Sequence, residues 1–192
     1  MFLNYATREL NCKIVYYGAG MAGKTTNLRY IHRRLRPERR TNLIELATEE
    51  ERTIFFDFMP VQVGSIAGFR VRLHLYTVPG QIHYGASRRV ILRGADGIVQ
   101  VVDSQKNRLE ANCESLEGLQ RDLRAHGLNV PRVVQYNKRD IQDTLAIETL
   151  RRHVNPSNVP EQAATAASGF GVLDTLRLIS RLVLREMRTR FE

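Results

Sequence analysis

The sequence predicts an α/β domain of three layers, with helices on both faces of a mostly parallel sheet. Strand patterns alternate with helix patterns, no linker or change of composition divides the chain, and a glycine-rich turn joins the first strand pattern to the first helix pattern. The 192 residues are enough for one domain with a sizeable core, and 43% hydrophobic residues are ordinary for a globular protein. We therefore expect a single domain over residues 1–192, with its ligand site at the carboxyl ends of the strands.

Each element has its own pattern. Strands are predicted, in order, at residues 13–17, 54–58, 71–76, 97–102 and 130–136. Three helices are predicted. The first runs through Leu28, Ile31 and Leu35, the second from about 109 to 123, and the third from about 172 to 187. Turn residues at 64–68 join the second and third strands in a hairpin, which places one antiparallel strand in the sheet.

The net charge is strongly positive, since 29 Lys and Arg outnumber 20 Asp and Glu and give +9. A basic balance raises nucleic-acid binding as a function. The arginines, however, gather at 33–40, 88–93 and 177–190 without the interleaved aromatic residues that would stack on bases, and no groove-reading motif is present. Solvated arginine-rich faces are therefore favoured, and nucleic acid is not an expected partner.

No apolar run approaches the roughly 20 residues that a membrane-spanning helix needs. The first residues lack the basic and apolar regions of a secretion signal, so we expect a cytoplasmic protein. Cys12 and Cys113 have no cysteine or histidine at metal-ligand spacing around them, which indicates two buried apolar side chains rather than a zinc site or a disulfide framework.

Residues 18–25 carry the most specific motif of the chain. They read Gly-Ala-Gly-Met-Ala-Gly-Lys-Thr, which matches the GxxxxGK[ST] phosphate-binding loop, and they lie between a predicted strand and a predicted helix as that loop does. The glycines let backbone N–H groups turn onto phosphate oxygens, Lys24 reaches the terminal phosphates and Thr25 coordinates Mg²⁺. The candidate phosphate-binding residues are Gly18, Ala19, Gly20, Met21, Ala22, Gly23, Lys24, Thr25 and Thr26.

Asn137, Lys138 and Asp140 follow an apolar strand and match the Asn-Lys-x-Asp pattern by which Ras-like GTPases recognise guanine. An aspartate can accept hydrogen bonds from N1–H and the exocyclic amine of guanine, whereas adenine has an acceptor at N1 and no amine at C2. The pattern therefore predicts GTP and GDP rather than ATP. Thr165 and Ala166 lie where a short loop is expected to contact the guanine oxygen through a backbone N–H.

Residues 77–81 stand where Ras-like proteins have Asp-x-x-Gly-Gln, but Thr77 replaces the aspartate. Gly80 can present its N–H to a γ-phosphate, and Gln81 can orient an attacking water. The usual aspartate supports the Mg²⁺ shell. Either metal binding is weaker here or another group assists it, and Asp57 is the nearest carboxylate in the sequence.

A first switch loop should end, just before the strand at 54–58, in a threonine that meets both Mg²⁺ and the γ-phosphate, and Thr53 is the candidate. Arg52 beside it could neutralise the charge that develops on the phosphates during hydrolysis. A plain surface arginine is the alternative interpretation of Arg52.

Together these segments resemble the MglA family of bacterial Ras-like GTPases, and the resemblance runs from about residue 4 to residue 184. It rests on residues 15–28, 46–49, 51–58, 74–81 and 135–140, and the Thr-Val-Pro-Gly form of the third motif is typical of that family. The resemblance implies a P-loop NTPase with a Ras-like G domain, a switch in cell polarity and motility, and an MglB-like roadblock-domain protein as activator. In the family, the arginine matching Arg52 is a built-in finger that the activator positions, and the glutamine matching Gln81 orients water.

We therefore expect a GTPase that binds GDP and GTP with Mg²⁺ and hydrolyses GTP with the help of an activating partner. A GTP-binding scaffold that hardly hydrolyses GTP is the alternative, because Thr77 could weaken the metal site. A P-loop kinase would need an arginine-rich lid, and the segment at 33–40 lies too early in the chain for one.

Motility or polarity effectors are further expected partners, with recruitment to a cell pole or to the membrane periphery. Arg177, Arg181 and Arg185 recur every four residues on the polar side of the last predicted helix. An acidic partner or an acidic membrane surface would fit this line of charge, and a solvated face is the alternative.

Overall fold

A computed structural model describes residues 2–35, 44–46, 56–66, 68–79 and 85–191, without the side chains of 44–46, 56–58, 63, 66, 85, 86, 190 and 191. Its strands are β1 (Phe2–Asn4), β2 (Glu9–Tyr17), β3 (Ile44–Leu46), β4 (Phe56–Ile66), β5 (Phe69–Thr77), β6 (Gly97–Asp103), β7 (Arg132–Asn137) and β8 (Glu161–Ala163). Its helices are α1 (Lys24–Arg34), α2 (Gly85–Leu92), α3 (Leu109–Ala125), α4 (Ile147–Val154) and α5 (Val172–Phe191), and a 3₁₀ turn at Lys106–Arg108 precedes α3. No helix within these ranges is long and apolar enough to cross a membrane.

The strands of the described ranges form one sheet in the order β3-β4-β5-β2-β6-β7-β8, and β1 pairs with β2 outside this order. The five strands from β5 to β8 run parallel to one another, whereas β4 runs antiparallel to β5. The predicted hairpin is confirmed, with Ile66 opposite Phe69 at its turn. The carboxyl ends of β2, β6 and β7 consequently lie next to one another at one edge of the sheet.

Helices cover both faces of the sheet and form three layers. On one face, Leu28 of α1 and Ile179 of α5 pack with Ile14 of β2 in a continuous apolar cluster. On the other face, Leu92 of α2 and Leu119 of α3 pack against the sheet. A third cluster lies under α4. The central strand β6 is buried along its whole length, as expected for a parallel strand between two helix layers.

The α/β fold with a mostly parallel sheet is confirmed, and so are the predicted helices that correspond to α1, α3 and α5. Cys12 is buried, its Sγ lies 3.5 Å from Met187 Sδ, and burial raises the pKa of its thiol to about 12. This supports its interpretation as an apolar core residue. Cys113 is only half-buried, so the prediction of a buried side chain holds for Cys12 alone.

Candidate functional site

Residues 18–23 form a loop between the end of β2 and the start of α1, packed tightly against β6 and β7. A β-carbon on Gly18 would lie 2.2 Å from the carbonyl oxygen of Val101. Gly23, just before α1, has φ +98°, and a β-carbon there would lie 2.2 Å from Asn137 Nδ2. Both positions therefore require glycine, because any side chain would displace the neighbouring strand residues.

Lys24 is the first residue of α1, and its side chain folds back over the preceding loop. Its Nζ donates hydrogen bonds to the carbonyl oxygens of Gly18 at 2.9 Å and Ala19 at 2.7 Å, and only 7% of the residue is exposed. A buried ammonium at a helix N-terminus adds positive charge to the partial charge of the helix dipole. The arrangement suits an anion such as a phosphate.

Oxygen donors follow in the first turn of α1 and at the end of β5. Thr25 and Thr26 are half-buried, and Thr77 is buried at 3% exposure. Within the described residues there is no group of three or more His, Cys, Asp or Glu that could hold a metal ion. This donor set does not suit an all-protein metal cage, but it fits Mg²⁺, which keeps water ligands and is commonly shared with substrate phosphates.

Asn137 ends β7 and is 1% exposed. Its Nδ2 donates to the carbonyl oxygen of Ala22 at 2.7 Å, and its Oδ1 accepts the backbone N–H of Ala166 at 2.8 Å. One side chain thus connects the loop before α1 with the loop after β8. Thr165 is also buried, and its N–H donates to the carbonyl oxygen of Phe170 at 2.9 Å.

The two residues of the same motif after Asn137 have different surroundings. Lys138 has φ +65°, and its Nζ lies 2.7 Å from Asp103 Oδ2. Asp140 is exposed. An exposed carboxylate at this edge of the sheet can accept hydrogen bonds from a bound base.

An ion pair behind the loop at 164–166 holds β8 in place. Glu161 accepts hydrogen bonds from Arg151 Nε at 3.0 Å and from the Tyr136 hydroxyl at 2.8 Å. The hydrogen bonds from Arg151 lower the pKa of the Glu161 carboxyl. The pair joins α4 to the strand that leads into this loop.

Two site residues escape the sequence patterns. Asp103 ends β6 with its side chain fully buried, and Arg108 Nη2 donates to the carbonyl oxygen of Gly20 at 2.7 Å. The signal for Asp103 in the sequence is its position at the carboxyl end of a buried strand. Nothing local in the sequence indicates Arg108, because its partner lies 88 residues away.

A buried polar network under the loop also has no counterpart in the sequence motifs. The side-chain amides of Asn27 and Gln135 exchange two hydrogen bonds of 2.9 Å. Gln135 also donates to Thr175 Oγ1 at 2.9 Å, and Thr175 donates to the carbonyl oxygen of Gly171 at 2.8 Å. The network joins α1, β7 and α5 directly beneath the site.

The structure therefore brings the candidates in the loop at 18–26, the motif at 137–140 and the loop at 165–166 to one edge of the sheet. In the loop expected to contact a guanine oxygen through a backbone N–H, the N–H of Ala166 donates to Asn137 Oδ1. Arg52, Thr53, Gly80, Gln81 and the side chain of Asp57 lie outside the described residues.

Comparison with known proteins agrees with this geometry. Residues 1–181 match the model of the ADP-ribosylation factor family. The chain is also 52% identical over 190 residues to the mutual gliding-motility protein MglA of Myxococcus xanthus strain DK1622, with 97% of each chain covered. The chain therefore belongs to the ADP-ribosylation factor family and is a small GTPase.

Proposed function

We propose that this GTPase is a molecular switch that binds GDP and GTP at the edge of the sheet formed by β2, β6 and β7. The observation that carries the proposal is the position of Asn137, whose side chain joins the candidate phosphate loop to the candidate guanine loop. A ligand with phosphates at one end and a base at the other would contact both loops. GDP and GTP are such ligands.

The phosphates are assigned to residues 18–26. Lys24 supplies the charge, and the backbone N–H groups of the loop supply hydrogen-bond donors. Thr25 would hold Mg²⁺ from the protein side, with Thr53 as the expected second ligand. A bound Mg²⁺ would supply positive charge that offsets the negative charge developing on the phosphates.

Asp140 is assigned to the selection of guanine. Its exposed carboxylate can accept two hydrogen bonds from the guanine edge, and such charge-assisted bonds are stronger than neutral ones. The ammonium of Lys138 is held by Asp103, with Nζ 2.7 Å from Oδ2. Thr165 and Ala166 close the base pocket on the side of α5.

The chemistry of hydrolysis is assigned to residues outside the described ranges. Gln81 orients the attacking water, Gly80 offers its N–H to the γ-phosphate and Arg52 supplies positive charge. All three follow from the sequence motifs and from the resemblance stated above. An MglB-like roadblock-domain protein is the proposed activator.

The cellular role is proposed from the relative. The Myxococcus xanthus protein is a mutual gliding-motility protein by name, and 52% identity over 97% of the chain supports a related role in motility and cell polarity. Effectors of motility or polarity are the proposed partners. A cytoplasmic protein recruited to a cell pole or to the membrane periphery would serve such a role.

A GTP-binding scaffold that hardly hydrolyses GTP is the second candidate. It is favoured by one observation, the buried hydroxyl of Thr77 where Ras-like proteins carry an aspartate. Multiple-turnover GTP hydrolysis with and without an MglB-type partner separates the two functions. A scaffold would show no stimulation.

Thermal unfolding tests the proposed switch. At about 100 times its dissociation constant, a ligand adds about 2.7 kcal/mol to the free energy of unfolding, which is roughly 5–11 °C for a domain of this size. We expect this shift with GDP or GTP plus Mg²⁺, and a much smaller one with ATP.

The variant Asp140→Asn should bind xanthosine diphosphate in preference to GDP, because an amide can donate to the C2 oxygen of xanthine. Equal stabilisation of the unaltered protein by ATP and GTP would contradict the assignment of the base.

A further inference from the structure

Arg108 contacts the candidate phosphate loop from the segment between β6 and α3. It is the last residue of the 3₁₀ turn before α3, and its side chain is 25% exposed. Its Nη2 donates to the carbonyl oxygen of Gly20 at 2.7 Å. Its Nε lies 3.7 Å from Asp103 Oδ2. The guanidinium thus lies between the loop and a buried carboxylate.

The carbonyl groups of the loop point in two directions. Those of Gly18 and Ala19 accept hydrogen bonds from Lys24 Nζ, whereas that of Gly20 accepts one from Arg108. A trans peptide is planar, so the N–H of Met21 points opposite to the carbonyl of Gly20 and away from Arg108. The contact with Arg108 therefore determines the direction of one N–H donor of the loop.

The backbone of this peptide is strained. Met21 has φ +63°, a left-handed conformation that is unfavourable for a residue with a β-carbon. Its side chain is 80% exposed, so packing does not compensate for the backbone strain. A flipped peptide would relieve the strain and turn the carbonyl of Gly20 toward the phosphates, where it would repel them.

Asp103 anchors the arginine to the guanine motif. Its fully buried carboxylate accepts a hydrogen bond from Lys138 Nζ at 2.7 Å and another from the backbone N–H of Gln105 at 3.2 Å. The cations of Arg108 and Lys138 therefore share one carboxylate. Because Asp103 is held from several sides, loss of Arg108 leaves it with partners.

We propose that Arg108 is a positioning residue, which holds the peptide between Gly20 and Met21 with the N–H of Met21 directed at a phosphate of the bound nucleotide. The proposal rests on the proposed function, since it requires a nucleotide on residues 18–26. It assigns no chemical step to Arg108. The residue acts on GDP and GTP only through the backbone of the loop.

The amide of Met21 reports on this role directly. The chain has four methionines, Met1, Met21, Met59 and Met187, so ¹⁵N-methionine labelling gives a simple spectrum. On addition of GDP and Mg²⁺, the proton of the Met21 amide should move downfield as it binds an anionic oxygen. Met59 of β4 and Met187 of α5 are buried in the core, so their signals serve as internal controls of the fold.

Three variants make the comparison. In Arg108→Ala, we expect GDP affinity to fall about tenfold and the downfield shift of Met21 to be lost, with the signals of Met59 and Met187 in place. Arg108→Lys keeps the charge and one donor and should restore most of both readouts. Lys106→Ala removes an exposed cation of the same turn, paired with Asp143, and should change neither.

Two results would overturn the proposal. One is an Arg108→Ala protein that matches Lys106→Ala in GDP affinity and in the Met21 shift. The other is displacement of the Met59 and Met187 signals together with that of Met21, since Arg108 would then support the fold as a whole. If Arg108→Ala does not fold, Arg108→Gln takes its place with the same expected losses. Failure of the unaltered protein to bind GDP would instead contradict the proposed function.

Discussion

Asn137 determines the site geometry through two contacts of its own side chain. Its amide group donates to the loop before α1 and accepts from the loop after β8, and both bonds are buried. The close contact of Asn137 with the loop before α1 depends on Gly23, because Asn137 Nδ2 occupies the space that a β-carbon would need. Gly23, which the sequence motif assigns to phosphate binding, therefore also makes room for Asn137, the first residue of the guanine motif.

Gly23→Ala should lower both stability and GDP affinity. The new β-carbon would meet Asn137 Nδ2 at 2.2 Å, and left-handed backbone strain adds to the clash. We expect a loss of about 2–4 kcal/mol, from about 1–2 for the strain and about 1–2 for the displaced buried hydrogen bond. Gly127→Ala is the matched control, because it has φ +59° with nothing within 4 Å of the added β-carbon. Urea unfolding of the two nucleotide-free variants measures the difference, and equal losses would contradict the role of the clash.

The elements that sequence patterns predicted are the long ones. The helices α3 and α5 have 17 and 20 residues, enough for several turns of apolar periodicity. The strands β1, β3 and β8 have three residues each, which is too short for a pattern. The sequence of β8, Glu-Gln-Ala, has no preference for a strand, so its pairing with β7 depends on tertiary contacts.

The sheet should become less stable in acid because of His74 on β5. Its Nε2 lies 2.7 Å from Asn11 Oδ1 of β2, and burial, assisted by Arg72 and opposed by Glu9, lowers the pKa of its imidazole below 6.5. Between pH 6.5 and the lower folded pKa, the unfolded chain binds more protons at this residue than the folded chain does, so acid favours unfolding. The contribution is complete above pH 6.5 and is lost as the pH falls toward the folded pKa.

Urea unfolding between pH 5 and pH 8 checks this expectation. The variant His74→Gln should show a shallower decline of the free energy of unfolding over this range than the unaltered protein. His153→Gln removes an exposed imidazole of α4 and is the matched control. An unchanged pH dependence in His74→Gln would contradict the prediction.

The exposed face of α5 carries the proposed contact with an acidic membrane surface. Arg181 and Arg185 are exposed, and Arg177 is paired with Asp174 at 2.8 Å, with both side chains largely in solvent. We expect the protein to sediment with vesicles that contain phosphatidylglycerol, to do so less at high salt and not to sediment with phosphatidylcholine alone. Replacing Arg177, Arg181 and Arg185 by Glu should abolish sedimentation and leave GDP affinity unchanged. Unchanged sedimentation would show that this face is merely solvated.

At the scale of the whole molecule, the site divides into contiguous motifs and distant contacts. The motifs at 18–25 and 137–140 could be predicted, because the residues that give each motif its chemistry are neighbours in the sequence. The contacts that join them could not. Arg108 and Gly20 are 88 residues apart, and Asn27 and Gln135 are 108 residues apart, so only the folded sheet brings them together.

Hydrolysis should depend on Arg52 and Gln81 together. We expect Arg52→Ala and Gln81→Leu to keep GTP binding, which is assigned to Lys24 and Asp140, and to lose most of the hydrolysis that the activator stimulates. An arginine finger contributes about 10³ to 10⁵ in rate in other GTPases. Single-turnover hydrolysis with saturating MglB-type partner measures the loss. Near-normal stimulation of Arg52→Ala would mean that the partner supplies the arginine.

The buried network of Asn27, Gln135 and Thr175 has a consequence for how the chain finds its fold. Gln135 faces α1 and α5, whereas its neighbours Val134 and Tyr136 enter the apolar cluster under α4. If β7 slid by one residue against β6, the amide of Gln135 would enter that cluster and an apolar side chain would face Asn27.

Both changes would leave buried polar groups without partners, which is costly in free energy. We therefore expect the network to disfavour this shifted pairing, which an all-apolar strand would tolerate. The pair of Asn27 and Gln135 thus favours one register of β7 in the sheet. In that register, Asn137 at the end of β7 lies beside the phosphate loop.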